Sequence, residues 1–281
     1  YSGKWKLPTV MQAEGAGTWP KRPLELWGWG RANYGVLGQG NTTDMSSPVQ
    51  VAGEIWSSVS IGGETQGSTM AIKTDGTLWA WGRNNYGQLG QGNTTDYSSP
   101  VQIGALTTWQ KVANGDGRFG LAIKTDGTLW AWGRNYRGPL GQGDEVNLSS
   151  PAQVGALTTW LEVAAGYQLT MVLKTDGTIW MCGHGTYGQM GQGNTDSFSS
   201  PVQIGALTTW SKLGPGGWWA MALKTDGTIW AWGMNNGGQL GQGNTTQYSS
   251  PVQIGALTTW SKIAGGNNYE LGTAMAIKTD G

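Results

Sequence analysis

Apolar and polar positions alternate along this chain in short runs, and no stretch keeps the 3.6-residue spacing of a long helix. The clearest run is Ala71-Ile-Lys-Thr-Asp-Gly-Thr-Leu-Trp-Ala-Trp-Gly82. Strand-forming residues flank Thr-Asp-Gly, and Asp-Gly supplies a backbone turn that β-branched residues resist, so the run predicts a β-hairpin. After the turn, Trp79 and Trp81 lie two apart and point to one face, with Leu78 and Ala80 on the other. Both faces are apolar, which predicts a strand packed between two layers.

The hairpin recurs at 122–133, 172–183 and 222–233. It is also present in two pieces: residues 276–281 carry its first half, and Leu24-Glu-Leu-Trp-Gly-Trp-Gly30 its second. Each Trp-x-x-Gly motif ends on Gly30, Gly82, Gly133, Gly183 or Gly233, a period of about 50 residues. A glycine turn follows each motif, then Ser-Ser-Pro ending at Pro48, Pro100, Pro151, Pro201 or Pro251, then Trp56, Trp109, Trp160, Trp210 or Trp260. Proline lacks a ladder donor and reads as an edge or strand-start residue. Several short strands per unit at this period predict an all-β propeller. We expect a single domain over 24–281, of about five four-stranded blades, with residues 1–23 as an N-terminal extension, either a strap across a face, which two tryptophans favour, an anchor to a larger assembly, or a disordered lead. The split hairpin predicts ring closure by an N-terminal strand clasp, Leu24–Gly30 pairing beside Ala276–Lys278; the alternative is a partial arc of a larger propeller.

The order Asp75-Gly-Thr-Leu-Trp-Ala-Trp-Gly-Arg-Asn-Asn-Tyr-Gly-Gln-Leu-Gly90, followed by a proline, resembles the repeat of the regulator of chromosome condensation family. The likeness runs from residue 24 to 281 and implies the propeller fold, typically seven-bladed in that family. It implies function weakly, because propellers host unrelated activities. The near-identical Gly87-Gln-Leu-Gly-Gln-Gly-Asn-Thr-Thr95 pattern also resembles tandem repeats of environmental bacterial and bacteriophage proteins. That likeness implies a cell-surface or virion adhesin, extracellular rather than cytoplasmic.

Fourteen of the 18 tryptophans hold repeated positions, which marks them as packing residues. Cys182 stands where a fifteenth would fall and reads as a small buried hydrophobe. Length and sequence vary mainly in two patches. One is the loop before each hairpin, which supplies Arg118, Phe119, Tyr167, Gln168, Trp218, Trp219, Asn267 and Tyr269. The other follows each Trp-x-x-Gly and supplies Tyr34, Tyr86, Arg137 and Tyr187. Antiparallel pairing brings both patches to one end of the ring, so one face is diversified and the other nearly constant. These residue types form contact surfaces, and loops on a rigid scaffold carry function. They are therefore the candidate ligand-binding residues, with Trp218 and Trp219 as anchors.

Catalytic chemistry has little to draw on, and we expect no enzyme and no cofactor. His184 is the single histidine, without a second for a metal site or a Ser-His-Asp context. Asp75, Asp126, Asp176, Asp226 and Asp280 recur at the hairpin turn, which turn formation explains. The formal net charge is zero with no basic run, which argues against a nucleic-acid groove. No apolar run reaches membrane-spanning length. The expected partner is a protein or glycan on another surface, with the oligomeric state left open. Alternatives are guanine-nucleotide exchange with chromatin association, a structural or inhibitory interaction protein, and tryptophan-based light sensing, which would want clustered Trp and Arg.

Overall fold

The computed structural model describes residues 24–52, 55–63, 67–266 and 272–279. Strands β1 (Trp27–Gly30) and β2 (Met45–Gln50) form a two-stranded sheet. The first four-stranded sheet contains β3 (Trp56–Gly62), β4 (Ser68–Lys73), β5 (Leu78–Gly82) and β6 (Tyr97–Gln102). The second contains β7 (Trp109–Gly115), β8 (Phe119–Lys124), β9 (Leu129–Gly133) and β10 (Leu148–Gln153). The third contains β11 (Trp160–Gly166), β12 (Leu169–Lys174), β13 (Ile179–Gly183) and β14 (Phe198–Gln203). The fourth contains β15 (Trp210–Pro215), β16 (Trp219–Lys224), β17 (Ile229–Gly233) and β18 (Tyr248–Gln253). Finally β19 (Trp260–Gly265) and β20 (Ala274–Lys278) pair alone. Every sheet is an antiparallel meander, and first strands pack on those of the next sheet, β3 on β7, β7 on β11, β11 on β15 and β15 on β19.

The all-β propeller architecture is thus present, but the clasp is not. Among the described residues β1 pairs only with β2, and β20 only with β19. Trp29 is 61% exposed where its counterpart Trp81 is 1%, and Met275 is 70% exposed where Met70 is buried. Matching strand sequences establish that two strands can pair, and among the described residues the first and last strands stay in separate two-stranded sheets. The expected strap, residues 1–23, lies outside the described residues.

Each hairpin turn is built alike. Gly76 N–H donates to Lys73 O at 3.0 Å and Lys73 N–H to Thr77 O at 3.0 Å, with Gly76 at φ +81°. This is a three-residue turn in which glycine takes the left-handed position. Asp75 Oδ1 accepts from Thr77 N–H at 2.9 Å and from its hydroxyl at 2.7 Å, and Thr77 Oγ1 accepts from Trp79 Nε1 at 2.8 Å. The same three bonds recur at Asp126, Asp176 and Asp226. The Thr hydroxyl and amide hold all four carboxyls below the usual Asp range. Above each relay a lysine covers an indole, with Lys124 Nζ 3.6 Å from the Trp130 ring centre and Lys224 Nζ 3.7 Å from that of Trp230. The recurring aspartates therefore serve the turn.

The inner tryptophans join one sheet to the next. Trp81 Nε1 donates to Val36 O, Trp132 Nε1 to Gln88 O and Trp232 Nε1 to Gln189 O, each at 2.8 Å. In the third sheet Cys182 occupies this slot, and its Sγ lies 3.5 Å from Pro139 O. The thiol is fully buried, and burial pushes its pKa up to about 12, so it stays protonated and unreactive. A second inter-strand brace is Asn84, fully buried, whose side chain accepts from Leu89 N–H at 2.9 Å and donates to Thr95 O at 2.9 Å.

These contacts rank the tryptophans. Trp132→Ala removes a fully buried ring and orphans a carbonyl, and should cost about 3–5 kcal/mol in denaturant unfolding. Trp130→Ala, half-buried on the same face but nearer the turn, should cost markedly less. Equal losses would contradict the inner indole as the joint between sheets.

Candidate functional site

The two variable patches are bonded to each other. Arg134 N–H donates to Arg118 O, His184 N–H to Gln168 O and Met234 N–H to Trp218 O, each at 2.9 Å. The cause is the hairpin: the residue before its first strand and the residue after its second lie side by side. Three successive repeats therefore present their variable residues at one end of the sheets.

Together they wall a cavity of about 420 Å³ lined by Arg118, Arg134, Tyr136, Tyr167, Gln168, His184, Thr186, Tyr187 and Trp218. Trp218 is its buried centre. The ring centres of Tyr167, His184 and Tyr187 lie 4.6, 4.7 and 5.5 Å from it. Edge-on and tilted contacts of this kind lock aromatic rings against one another. Arg118 donates from Nη1 to Tyr167 Oη at 3.1 Å, lies over that ring, and holds Asp116 at 3.4 Å. Arg134 lies between Tyr86 and Tyr136, 5.0 and 5.2 Å from their ring centres, and Arg137 covers Tyr136 at 5.2 Å. The walls are thus aromatic, and the charged side chains lining the cavity, Arg118 and Arg134, are cationic.

Arginine on tyrosine recurs between neighbouring repeats. Arg83 stacks on Tyr34 at 4.5 Å and donates to its hydroxyl at 3.1 Å. Arg134 and Tyr86 repeat that pairing one step on. At the next junction the types are exchanged: Arg137 holds the tyrosine position and His184 the arginine position. The backbone is also unusual here. Among the described residues the non-glycine positions with positive φ are Tyr34, Asp116, Arg137 and Gln168, at 57°, 50°, 69° and 53°. All four sit in the variable loops. Such conformations cost on the order of 1–3 kcal/mol each and persist where the surroundings over-determine them.

Of the residues singled out by sequence, Arg118, Tyr167, Gln168, Tyr187 and Trp218 line the cavity. Tyr86 and Arg137 touch its wall through Arg134 and Tyr136. Tyr34 lies apart, beside Asn33, Thr42, Asp96 and Ser98. Asn267 and Tyr269 fall outside the described residues. Trp219 and Phe119 are corrections. They begin β16 and β8, are buried, and pack into the hydrophobic core. Both stand five residues before the hairpin lysine, where Ser68 and Leu169 are buried in other repeats. That shared offset was the available signal. Arg134, Tyr136, His184 and Thr186 belong to the site without having been singled out for it.

His184 Nε2 and the Thr186 hydroxyl are 2.8 Å apart. Burial, and then the charge of Arg137, lower its pKa from 6.5. The folded state therefore favours the neutral ring, and the unfolded chain takes up its proton at higher pH. The resulting stability is complete above about 6.5 and is lost as pH falls through 6.5 toward the lower folded value. Among the described residues no three His, Cys, Asp or Glu side chains are grouped to hold a metal.

The regulator of chromosome condensation (RCC1) repeat matches residues 25–65, 75–118, 126–173, 176–223 and 226–271. The ultraviolet-B receptor UVR8 of Arabidopsis thaliana is 36% identical over 134 residues, 46% of this chain and 30% of that protein. The human E3 ubiquitin-protein ligase HERC2 is 34% identical over 150 residues, 50% of this chain and 3% of that protein. The chain thus spans less than a third of either relative's length. Human WBSCR16 superposes with a TM-score of 0.76 at 21% identity, covering 90% of this chain and 67% of that structure. Prp20p of Saccharomyces cerevisiae, a structure described with its binding to Gsp1p and histones, gives 0.76 at 18% identity, covering 90% and 65%. These structural likenesses bear on the fold.

An NMR titration should place the His184 midpoint below 6.5, and Arg137→Ala should raise it by removing the nearby positive charge. A midpoint at or above 6.5, or one indifferent to Arg137, would contradict this geometry.

Proposed function

Because the chain belongs to the regulator of chromosome condensation (RCC1) repeat family, we propose that it is a protein-binding propeller module whose arginine–aromatic cavity holds an acidic segment of a partner protein. The observation that carries this reading is the convergence of three repeats' variable residues on one cavity with Arg118 and Arg134 in its wall. Arginine forks match carboxylates geometrically, and clusters of arginine are a recurrent way of reading acidic motifs. The aromatic rings beneath them fix the guanidinium groups in place at little entropic cost.

The same chemistry weighs against two other partners at this site. A histone tail is basic and would meet arginines of like charge. A sugar ring stacks on an open aromatic face, whereas Trp218 is buried among three other rings and the exposed Tyr136 is flanked by Arg134 and Arg137. Glycan binding, and with it the adhesin reading, is therefore an arm of the test rather than the leading hypothesis. Light sensing would need neighbouring indoles facing arginine, and Trp219, the second half of that pair, is in the core.

The test is a screen of the native chain and an Arg118→Ala/Arg134→Ala variant, with folding checked, against acidic peptides, their neutral counterparts and glycan arrays. Acidic peptides should bind the native chain, more weakly as salt rises, and at least about tenfold more weakly in the variant, the scale of losing charge-assisted hydrogen bonds. Equal retention of both proteins, or retention by glycans alone, would refute the proposal.

A further inference from the structure

The four complete sheets differ at one buried position. Trp81, Trp132 and Trp232 occupy it in the first, second and fourth sheets, and Cys182 in the third. Where the indole is present it packs on the Trp of the first strand. Ring centres are 5.8 Å apart for Trp81 and Trp56, 6.3 Å for Trp132 and Trp109, and 6.3 Å for Trp232 and Trp210. Its other neighbours come from the preceding sheet's turn. A Cβ built on Gly90 would meet Trp132 Nε1 at 3.1 Å, and one on Gly191 would meet Trp232 Nε1 at 3.0 Å. On the equivalent Gly141 it would meet Cys182 Sγ at 3.2 Å. The sulfur therefore replaces only the inner edge of the ring.

Beside this position, with Gly141 common to both, lies a partly open cavity of about 310 Å³ whose wall includes Val154, Trp160, Trp180 and Pro201 and the polar Gln142 and Ser200. Gly141, Val154 and Trp160 correspond to Gly90, Ile103 and Trp109 in the preceding repeat. Those are the neighbours of Trp132 there: Ile103 and Trp109 share its core cluster, and a Cβ on Gly90 would meet its indole nitrogen. The cavity has thus inherited the walls of an indole site without the indole. The equivalent acceptor is also present. Val36 O accepts from both Trp81 Nε1 at 2.8 Å and the Thr69 hydroxyl at 2.9 Å. Pro139 O accepts from the Thr170 hydroxyl at 2.7 Å, and the long Cys182 contact is its other partner.

We propose that this cavity, between the second and third sheets, binds a free planar aromatic molecule of the indole class. Apolar cavities of about 150 Å³ already admit benzene, so a bicyclic ring fits the available space. Trp160 and Trp180 offer one aromatic wall, and Val154 and Pro201 supply aliphatic contact. The site is separate from the arginine–aromatic cavity and does not depend on the function assigned to it.

The test is titration of the full chain with indole, followed by calorimetry and by the methyl resonances of Val154 and Leu157, which also lines the cavity. Saturable binding at one site, with shifts centred on those methyls, is the expected result. Cys182→Trp refills the cavity from within and should weaken indole binding at least tenfold. No saturable binding, shifts centred elsewhere, or undiminished binding by folded Cys182→Trp would overturn the proposal. If that variant does not fold, the location of the methyl shifts in the native chain decides alone.

Discussion

The fold depends on one hydrogen bond repeated between sheets, from an indole N–H to a backbone carbonyl in the turn of the preceding repeat. Trp81, Trp132 and Trp232 each make it at 2.8 Å. A buried indole without an acceptor loses a donor, and a buried turn carbonyl without a donor loses more than it gains from packing. Neither sheet can satisfy both groups alone. Each unit is therefore completed by its neighbour, as in other repeat architectures, where stability resides largely in interfaces between units. The turn must also present its carbonyl inward at close range, and the left-handed glycines beside it, such as Gly90 at φ +68°, allow that approach.

Fixing the interior this way leaves the ends of the hairpins unequally constrained. At one end the Lys–Asp–Thr–Trp relay repeats almost unchanged, because each member satisfies another. At the opposite end the backbone is held by bonds between loop ends, Arg134 to Arg118 and His184 to Gln168, whose donors and acceptors belong to the main chain. Main-chain bonds do not specify side chains, so these positions are free to diverge while their geometry persists. That rigidity also explains how Gln168 and Asp116 are kept at positive φ. The cavity is thus assembled from side chains that the scaffold positions but does not require.

Much of this was legible in the sequence. The hairpin, the period, the turn role of Asp75 and the convergence of two variable patches follow from spacing and from the antiparallel rule. Three features were harder to read. Matching residues show that the first and last strands are alike, but whether they share a sheet is a long-range property that no single stretch encodes, and among the described residues each stays in its own two-stranded sheet. Trp219 and Phe119 stood out because neighbouring repeats place different residue types there, yet position relative to the hairpin lysine, not residue type, sets burial. As the single histidine, His184 shows in the sequence only what it lacks, a second metal ligand or a catalytic partner. Its place in an aromatic cluster becomes visible only when one repeat's post-motif patch is compared with the next, where Tyr86 and Arg134 give way to Arg137 and His184.

In a chain whose units are nearly identical, departures from the repeat carry information of two physical kinds. A departure at a loop end changes chemistry without changing volume balance, since solvent absorbs the difference. A departure in the core cannot be absorbed, because close-packed interiors relax only partly around a missing group. Cys182 is of the second kind. Residues equivalent to those around Trp132, namely Gly141, Val154 and Trp160, still stand beside it, and they line the cavity of about 310 Å³. The constraint that makes the repeats alike is therefore also what makes one omitted ring, rather than a varied loop, the place to look for a site.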